Sequence, residues 1–229
     1  MIAGRLTEVR SRIATAARSV GRDPSSIQLI AVSKTYPLDV IRIAYDAGQR
    51  DFGENRVQEA LEKIGRATEP DIKWHLVGHL QTNKARKAVG AFASIQSVDS
   101  VELLHKLDQA ALEAGTKPEI LIQVAVAHET TKFGMPPADV PRLFEFGARL
   151  EAARLVGVMT IPPPARTPKD ARLWFRRLRE LRDEWQASGV PTVMLRELSM
   201  GMSGDFEVAI QEGATMVRVG TAIFGPRTP

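Results

Sequence analysis

The stretch Gln28-Leu29-Ile30-Ala31-Val32-Ser33-Lys34 decides the fold. It is a short apolar run, partly β-branched, and runs like it recur between longer amphipathic segments, which is the pattern of βα units around a parallel sheet. Counting outward, strands are expected at Gln28–Ser33, Asp51–Gly53, Lys73–Val77, Ala93–Ser97, Glu119–Ala125, Arg154–Met159, Val193–Leu198 and Thr215–Val219. Upstream, Leu6, Val9, Ile13, Ala16, Ala17 and Val20 fall near helical spacing, and Gly21 and Pro24 end that helix. Downstream, the clearest helices are Ser100–Ala114 and Lys169–Ser188. In the latter, Trp174, Leu178, Leu181 and Trp185 form an apolar stripe opposite a solvated face of Arg176, Arg179, Glu180 and Asp183.

Eight βα units in 229 residues match a single (β/α)8 TIM-type barrel with an extra N-terminal helix, whose usual length is about 250 residues. A doubly wound open sheet is the structural alternative. No internal linker breaks residues 1–229, because the one proline-rich tract, Pro162-Pro163-Pro164, directly follows a strand and reads as a loop at one barrel end.

Composition narrows the function classes. With 44% hydrophobic and 25% charged residues the chain has material for a core that buries about 70% of its unfolded surface. It contains no cysteine, which excludes disulfides, thiolate nucleophiles and cysteine-ligated metal centres and makes a cytoplasmic location the default expectation. The N-terminus lacks the apolar core of a signal peptide, and no stretch approaches the ~18 apolar residues of a membrane helix. The net charge of +4 is mild, and no basic stripe with interleaved aromatics appears, so neither nucleic acid nor membrane is an expected partner. Anionic small ligands suit the charge equally well.

In a barrel of this kind functional groups sit where strands end. Ile30, Val32 and Lys34 share one face by the period of two, so an inward face would place Lys34 at the mouth. Partial desolvation there lowers an amine's pKa and frees its lone pair for attack on an aldehyde, as a Schiff-base lysine requires. The alternative is a rim lysine reaching solvent. Strand seven runs into Ser199-Met200-Gly201-Met202-Ser203-Gly204-Asp205, where Ser203 could cap the next helix, and strand eight ends in Arg218-Val219-Gly220-Thr221. Both loops have the small, polar composition of a barrel phosphate site, although ordinary glycine-rich turns look the same. An inward lysine and a phosphate cradle together fit pyridoxal phosphate. Arg218, on the face of Gly220, could reach the ring from below, and a cation facing the pyridine nitrogen would keep it unprotonated.

Five stretches carry a resemblance: Ala31-Val32-Ser33-Lys34-Thr35, Asp51-Phe52-Gly53-Glu54-Asn55, Trp74 to Lys84, Leu198 to Ser203 and Val217 to Gly225. In this order, over nearly the whole length, the chain resembles the pyridoxal phosphate homeostasis protein family. The resemblance implies a barrel like the alanine racemase barrel domain standing alone, with pyridoxal 5'-phosphate on Lys34. It further implies that Ser199, Gly220 and Thr221 hold the phosphate, that Arg218 faces the pyridine nitrogen, that Asn55 lines the ring and that Met159 and Met200 pack the pocket. Lys132 matches a loop lysine common in the family, and His79 stands where some members carry proline.

Other candidates have plainer readings. His75 and His79 are four apart, but Gly78 and the strand-like run Trp74–Val77 argue against a helical metal pair, leaving His75 a polar position at the strand-three end. His105 reads as helix surface, His128 as part of the loop after strand five, and Lys84, Arg86 and Lys87 as a solvated helix face.

Two function classes follow. One is a racemase or related amino-acid enzyme; the other is a non-catalytic carrier or buffer in vitamin B6 homeostasis that passes the cofactor to apoenzymes. A two-base racemisation needs a second proton-transfer group opposite the lysine. In alanine racemases that group is a tyrosine of an additional domain from a partner subunit, for which a chain ending at Pro229 is expected to leave no room. Its tyrosines are Tyr36, close behind the lysine, and Tyr45 within a helix, neither well placed. The carrier is the preferred expectation, and resemblance implies a monomer. A lysine aldolase on a similar barrel falls because the motifs match a different family.

Overall fold

In a computed structural model describing residues 1–127, 133–163 and 167–226, the apolar run at Gln28 is strand β1, Gln28–Val32. Seven more follow: β2 Asp51–Glu54, β3 Lys73–Leu76, β4 Ser94–Val98, β5 Glu119–Gln123, β6 Arg154–Met159, β7 Glu197–Ser199 and β8 Met216–Val219. They close in sequence order into a parallel barrel, with β1 pairing both β2 and β8. Between them lie α2 Leu38–Asp46, α3 Val57–Ile64, α4 Ala85–Val89, α5 Val101–Ala114, α6 Val140–Gly147, α7 Pro168–Ala187 and α8 Phe206–Gln211, with α1 Ile2–Arg18 before the first strand and α9 Thr221–Phe224 after the last. The architecture is the expected (β/α)8 barrel.

Strand alternation sorts the interior into two layers. Outward side chains such as Leu29, Ala31, Phe52 and Leu198 join the helices in the main core, whereas Ile30, Leu121, Val156, Met159 and Met216 form a smaller cluster inside the barrel. Helix α1 buries Leu6, Val9, Ile13, Ala16 and Ala17 and packs on α8 and α9, so it covers the seam where β8 meets β1. Its Leu6, Val9 and Ile13 each contribute about 1.5–3 kcal/mol of burial. Val20 lies past the helix and is exposed.

Local chemistry sets the helix ends. Ser100 accepts the Leu103 N–H at 3.2 Å at the start of α5, and Gly115, at φ 65°, closes its end. Thr167 and Asp170 form a capping box at α7.

Three expectations need correction. Strand seven does not begin at Val193: Thr192–Leu195 winds into a 3-10 turn and β7 holds only Glu197–Ser199. Pro191 starts that turn by accepting the Met194 N–H at 2.9 Å, and Val193 within it is exposed. The α7 stripe runs through Ala171, Phe175, Leu178, Leu181 and Trp185, with Trp174 half-buried at its edge. Arg176 and Arg179 are not merely solvated: with Arg172 they converge on Glu212, whose side chain is 5% exposed. Burial alone would raise Glu212, but the three guanidiniums outweigh it and hold the carboxyl below its usual range.

Candidate functional site

The strands deliver their C-terminal ends to a cavity of about 260 Å³ lined by Val32, Lys34, Asn55, Val77, Ile161, Met202, Ser203, Arg218, Gly220 and Thr221. Five of the eight site residues expected from the sequence therefore meet here: Lys34, Asn55, Arg218, Gly220 and Thr221. A larger concavity of about 480 Å³ lies at the opposite barrel end, lined by Arg10, Gln28, Gln49 and Asp51 among others. Its Arg10 is already committed to the carbonyls of Ala47 and Gly48, and it holds no lysine.

Lys34 follows β1 by two residues and is half-buried, on the side set by Ile30 inside the barrel. Asn55 follows β2, and its backbone is fixed by Gly78: a Cβ on Gly78 would stand 2.3 Å from the Asn55 carbonyl oxygen. Ser97 holds the same loop by donating to the Gly78 carbonyl at 2.7 Å. Glycine at 78 is therefore required by close approach.

At the other wall, the N–H groups of Gly220 and Ala222 converge on the Ser203 hydroxyl at 3.2 and 3.3 Å. Ser203 thus caps the turn after β8 rather than α8, the helix that follows it. An added Cβ at Gly220 would come 3.3 Å from the Val32 carbonyl oxygen, so this glycine leaves the space between β8 and β1 open. The Ser203 and Thr221 hydroxyls, Gly220 and the two amides that Ser203 now occupies have the composition of a phosphate-binding turn.

Arg218 is 4% exposed and forms the cavity floor. Its Nη1 donates to Ser199 Oγ at 2.6 Å and its Nη2 to the Thr160 carbonyl at 2.8 Å. Burial pulls its pKa down to about 10, against the opposing pull of Asp205, so it remains a cation at neutral pH. Asp205 is itself raised by burial, although the Met202 N–H and the Arg218 charge both favour its ionised form.

Below Arg218 a polar chain runs down the barrel. Ser199 Oγ donates to Gln96 Oε1 at 2.7 Å, Gln96 Nε2 to Ser94 Oγ at 3.3 Å, and Ser94 meets His75 Nδ1 at 2.7 Å. His75 Nε2 lies 2.9 Å from Asp51 Oδ1, which also accepts from Gln28. His75 is thus a barrel-interior group rather than a strand-end one. The Asp51–His75–Ser94 relay is no nucleophile site, because Ser94 is fully buried.

Three expected residues lie off the cavity lining. Met159 faces the barrel interior, Ser199 sits beneath Arg218, and Met200, just past β7, packs into the helix layer. Sequence reasoning missed Val32, Val77, Ile161 and Met202 as lining; the β1 period already placed Val32 beside Lys34. Of the other candidates, His79 stacks on Phe133 at 4.2 Å, His105 is exposed, and Arg86 pairs with Glu113 at the surface. Lys132, His128 and Pro164 lie outside the described residues. Among the described residues no cluster of metal-ligating side chains occurs, and no helix is long and apolar enough to cross a membrane.

Comparison with known proteins matches residues 5–228 to the alanine racemase N-terminal domain. The sequence is 44% identical over 223 residues to the pyridoxal phosphate homeostasis protein of Aquifex aeolicus (strain VF5), spanning 97% of each chain. The fold superposes on PipY of Synechococcus elongatus PCC7942 without PLP, with a TM-score of 0.88 and 45% identity, over 98% of this chain and 100% of that one. The same protein with PLP bound gives a TM-score of 0.85 at 44% identity and the same coverage.

Proposed function

The chain belongs to the pyridoxal phosphate homeostasis protein family, and on that premise we propose that it binds pyridoxal 5'-phosphate, holds it as a Schiff base on Lys34 and acts as a non-catalytic carrier in intracellular vitamin B6 homeostasis. The donor set suits the ligand at each end. Lys34 offers the amine, the Ser203 and Thr221 hydroxyls at Gly220 offer a phosphate end, to which the amides that Ser203 now occupies would turn, and Arg218 offers a fixed cation. The bound cofactor supplies an aldehyde, with which an amine condenses to form a C=N bond and release one water, and an electron-withdrawing ring.

The chain's own residues do the rest. Asn55 and Val77, which line the cavity, would border the ring, and Arg218, held by Ser199 and Thr160, would face the pyridine nitrogen. A guanidinium there disfavours protonation of that nitrogen, which keeps the ring a weak electron sink and suits storage over carbanion chemistry. Ser199 contributes by orienting Arg218, and Met159 by packing the barrel interior beneath the site.

The observation that carries the carrier reading is the make-up of the lining. Among the described residues its side chains that gain or lose protons are Lys34 and Arg218 alone, which gives a two-base exchange no second group within that set. The Tyr36 hydroxyl donates to the Gly225 carbonyl at 2.8 Å and Tyr45 to Asp71, both away from the lining. Recipients in this reading are pyridoxal phosphate-dependent apoenzymes, and the carrier works as a monomer.

Loaded protein mixed with such an apoenzyme tests this, alongside chiral analysis of amino acids incubated with the loaded protein. Recipient activation matched by loss of the carrier's visible band, without interconversion above that of free cofactor, is expected. Saturable racemisation that disappears in Lys34→Ala would establish the enzyme instead.

A further inference from the structure

Behind the proposed cofactor lysine lies a buried ionic cluster that no part of the site accounts for. Ser33 to Tyr36 form a tight turn, closed by the Tyr36 N–H donating to the Ser33 carbonyl at 3.1 Å, with Lys34 and Thr35 as its middle residues. Thr35 has φ 70°, alone among the described non-glycine residues in taking a positive value. A β-branched side chain rarely adopts the left-handed region, so something outside the turn must hold it there.

The holding groups come from β2 and α3. Lys63 Nζ donates to the Ser33 carbonyl at 3.0 Å, to Glu54 Oε1 at 2.8 Å and to Glu59 Oε1 at 2.8 Å, which commits all three of its N–H bonds. Glu59 Oε1 also accepts the Thr35 N–H at 2.5 Å, and Glu54 Oε1 accepts the Ser33 hydroxyl at 2.7 Å. Glu54 is fully buried and Lys63 is 9% exposed. Burial raises the Glu54 carboxyl against the pull of Lys63 and Ser33, and its second oxygen finds no partner among the described residues. Such a cluster is costly to bury if it only fastens α3 to the barrel, because apolar packing does that more cheaply. Its contacts fall on the two residues that flank Lys34.

We propose that Glu54, Glu59 and Lys63 are positioning residues that clamp the Ser33–Tyr36 turn in its left-handed form and thereby present Lys34 to the ligand's aldehyde. The inference rests on the reading of Lys34 as the cofactor lysine. Without the clamp, Thr35 relaxes toward negative φ, the peptides on either side of it rotate, and the lysine stem leaves the cavity wall. Glycine takes positive φ without steric cost, so it should make the clamp unnecessary.

The test compares wild type, Glu59→Ala and Lys63→Met, each with and without Thr35→Gly. Pyridoxal phosphate is the probe, and borohydride-fixed adduct at Lys34 is measured across ligand concentrations. Exchange of the Thr35 amide is measured without ligand. Both single variants should expose that amide and weaken apparent affinity for adduct formation about tenfold, the equivalent of the strain one left-handed residue stores. Thr35→Gly should restore the adduct in both, which a merely structural role for the cluster would not produce. Glu59 is partly exposed at 27%, so Glu59→Ala carries the comparison if Lys63→Met does not fold. Wild-type affinity with a protected amide, or failure of Thr35→Gly to restore the adduct, overturns the clamp. A wild-type protein with no adduct at Lys34 overturns the cofactor-lysine reading and the clamp with it, while amide exchange reports separately on the turn.

Discussion

Arg218 donates to the Ser199 hydroxyl at 2.6 Å, and Ser199 passes the contact on to Gln96 at 2.7 Å. The guanidinium at the cavity floor is therefore aimed from inside the barrel. Gln96→Leu removes the middle of this chain and leaves the Ser199 and Ser94 hydroxyls short of a partner in a buried layer. A stability loss of about 1–3 kcal/mol is expected by denaturant titration, with a shifted absorption band for bound pyridoxal phosphate. An unchanged band would mean that Ser199 and Thr160 suffice to hold Arg218.

Charge reversal addresses the ring itself. Arg218→Glu should favour a protonated pyridine nitrogen, which nitrogen-15 NMR of labelled ligand reads as a large upfield shift. A resonance that stays at the unprotonated position would remove Arg218 from that role.

Gly78→Ala tests the wall that carries Asn55. The added methyl meets the Asn55 backbone at 2.3 to 2.9 Å, contacts that cannot be met without moving the β2 end. A loss of about 1–3 kcal/mol in folding stability is expected, with weaker cofactor binding. Weakened stability with unaltered binding would show that Asn55 does not border the ligand.

The Glu212 clamp predicts a pH signature. Its carboxyl is held below the ordinary 4.5 by Arg172, Arg176 and Arg179, so its stabilisation is fully present above that value and is lost as pH falls through the folded-state pKa. Glu212→Gln should cost about 1–2 kcal/mol near neutrality, and the gap to wild type should close under acid. A gap of constant size from neutral pH to about pH 3 would contradict this assignment.

Much of the fold was legible because barrel strands announce themselves as short apolar runs between longer amphipathic segments. Lys34 was legible because a period of two fixes its side once Ile30 and Val32 are inward. Strand seven was overextended because Thr192 to Leu195 reads as β-branched and apolar, while the turn that Pro191 starts there depends on one backbone hydrogen bond. Met200, one residue past Ser199 and beyond the end of β7, packs into the helix layer and not along the cavity lining. The links Ser199–Gln96 and Ser33–Glu54–Lys63 were beyond reach for a different reason. They join residues on separate strands and helices, and only the closed barrel reveals that their polar atoms share one buried space.

The proposed function turns on Lys34 as the residue to which pyridoxal phosphate attaches. Its most direct test is borohydride reduction of the loaded protein, followed by peptide mapping of the fixed adduct, with Lys34→Ala alongside. One adduct is expected on the peptide containing Ser33-Lys34-Thr35, with a variant that still binds ligand weakly through the phosphate end without fixing it. Adduct spread over surface lysines, or retained in Lys34→Ala, would contradict it.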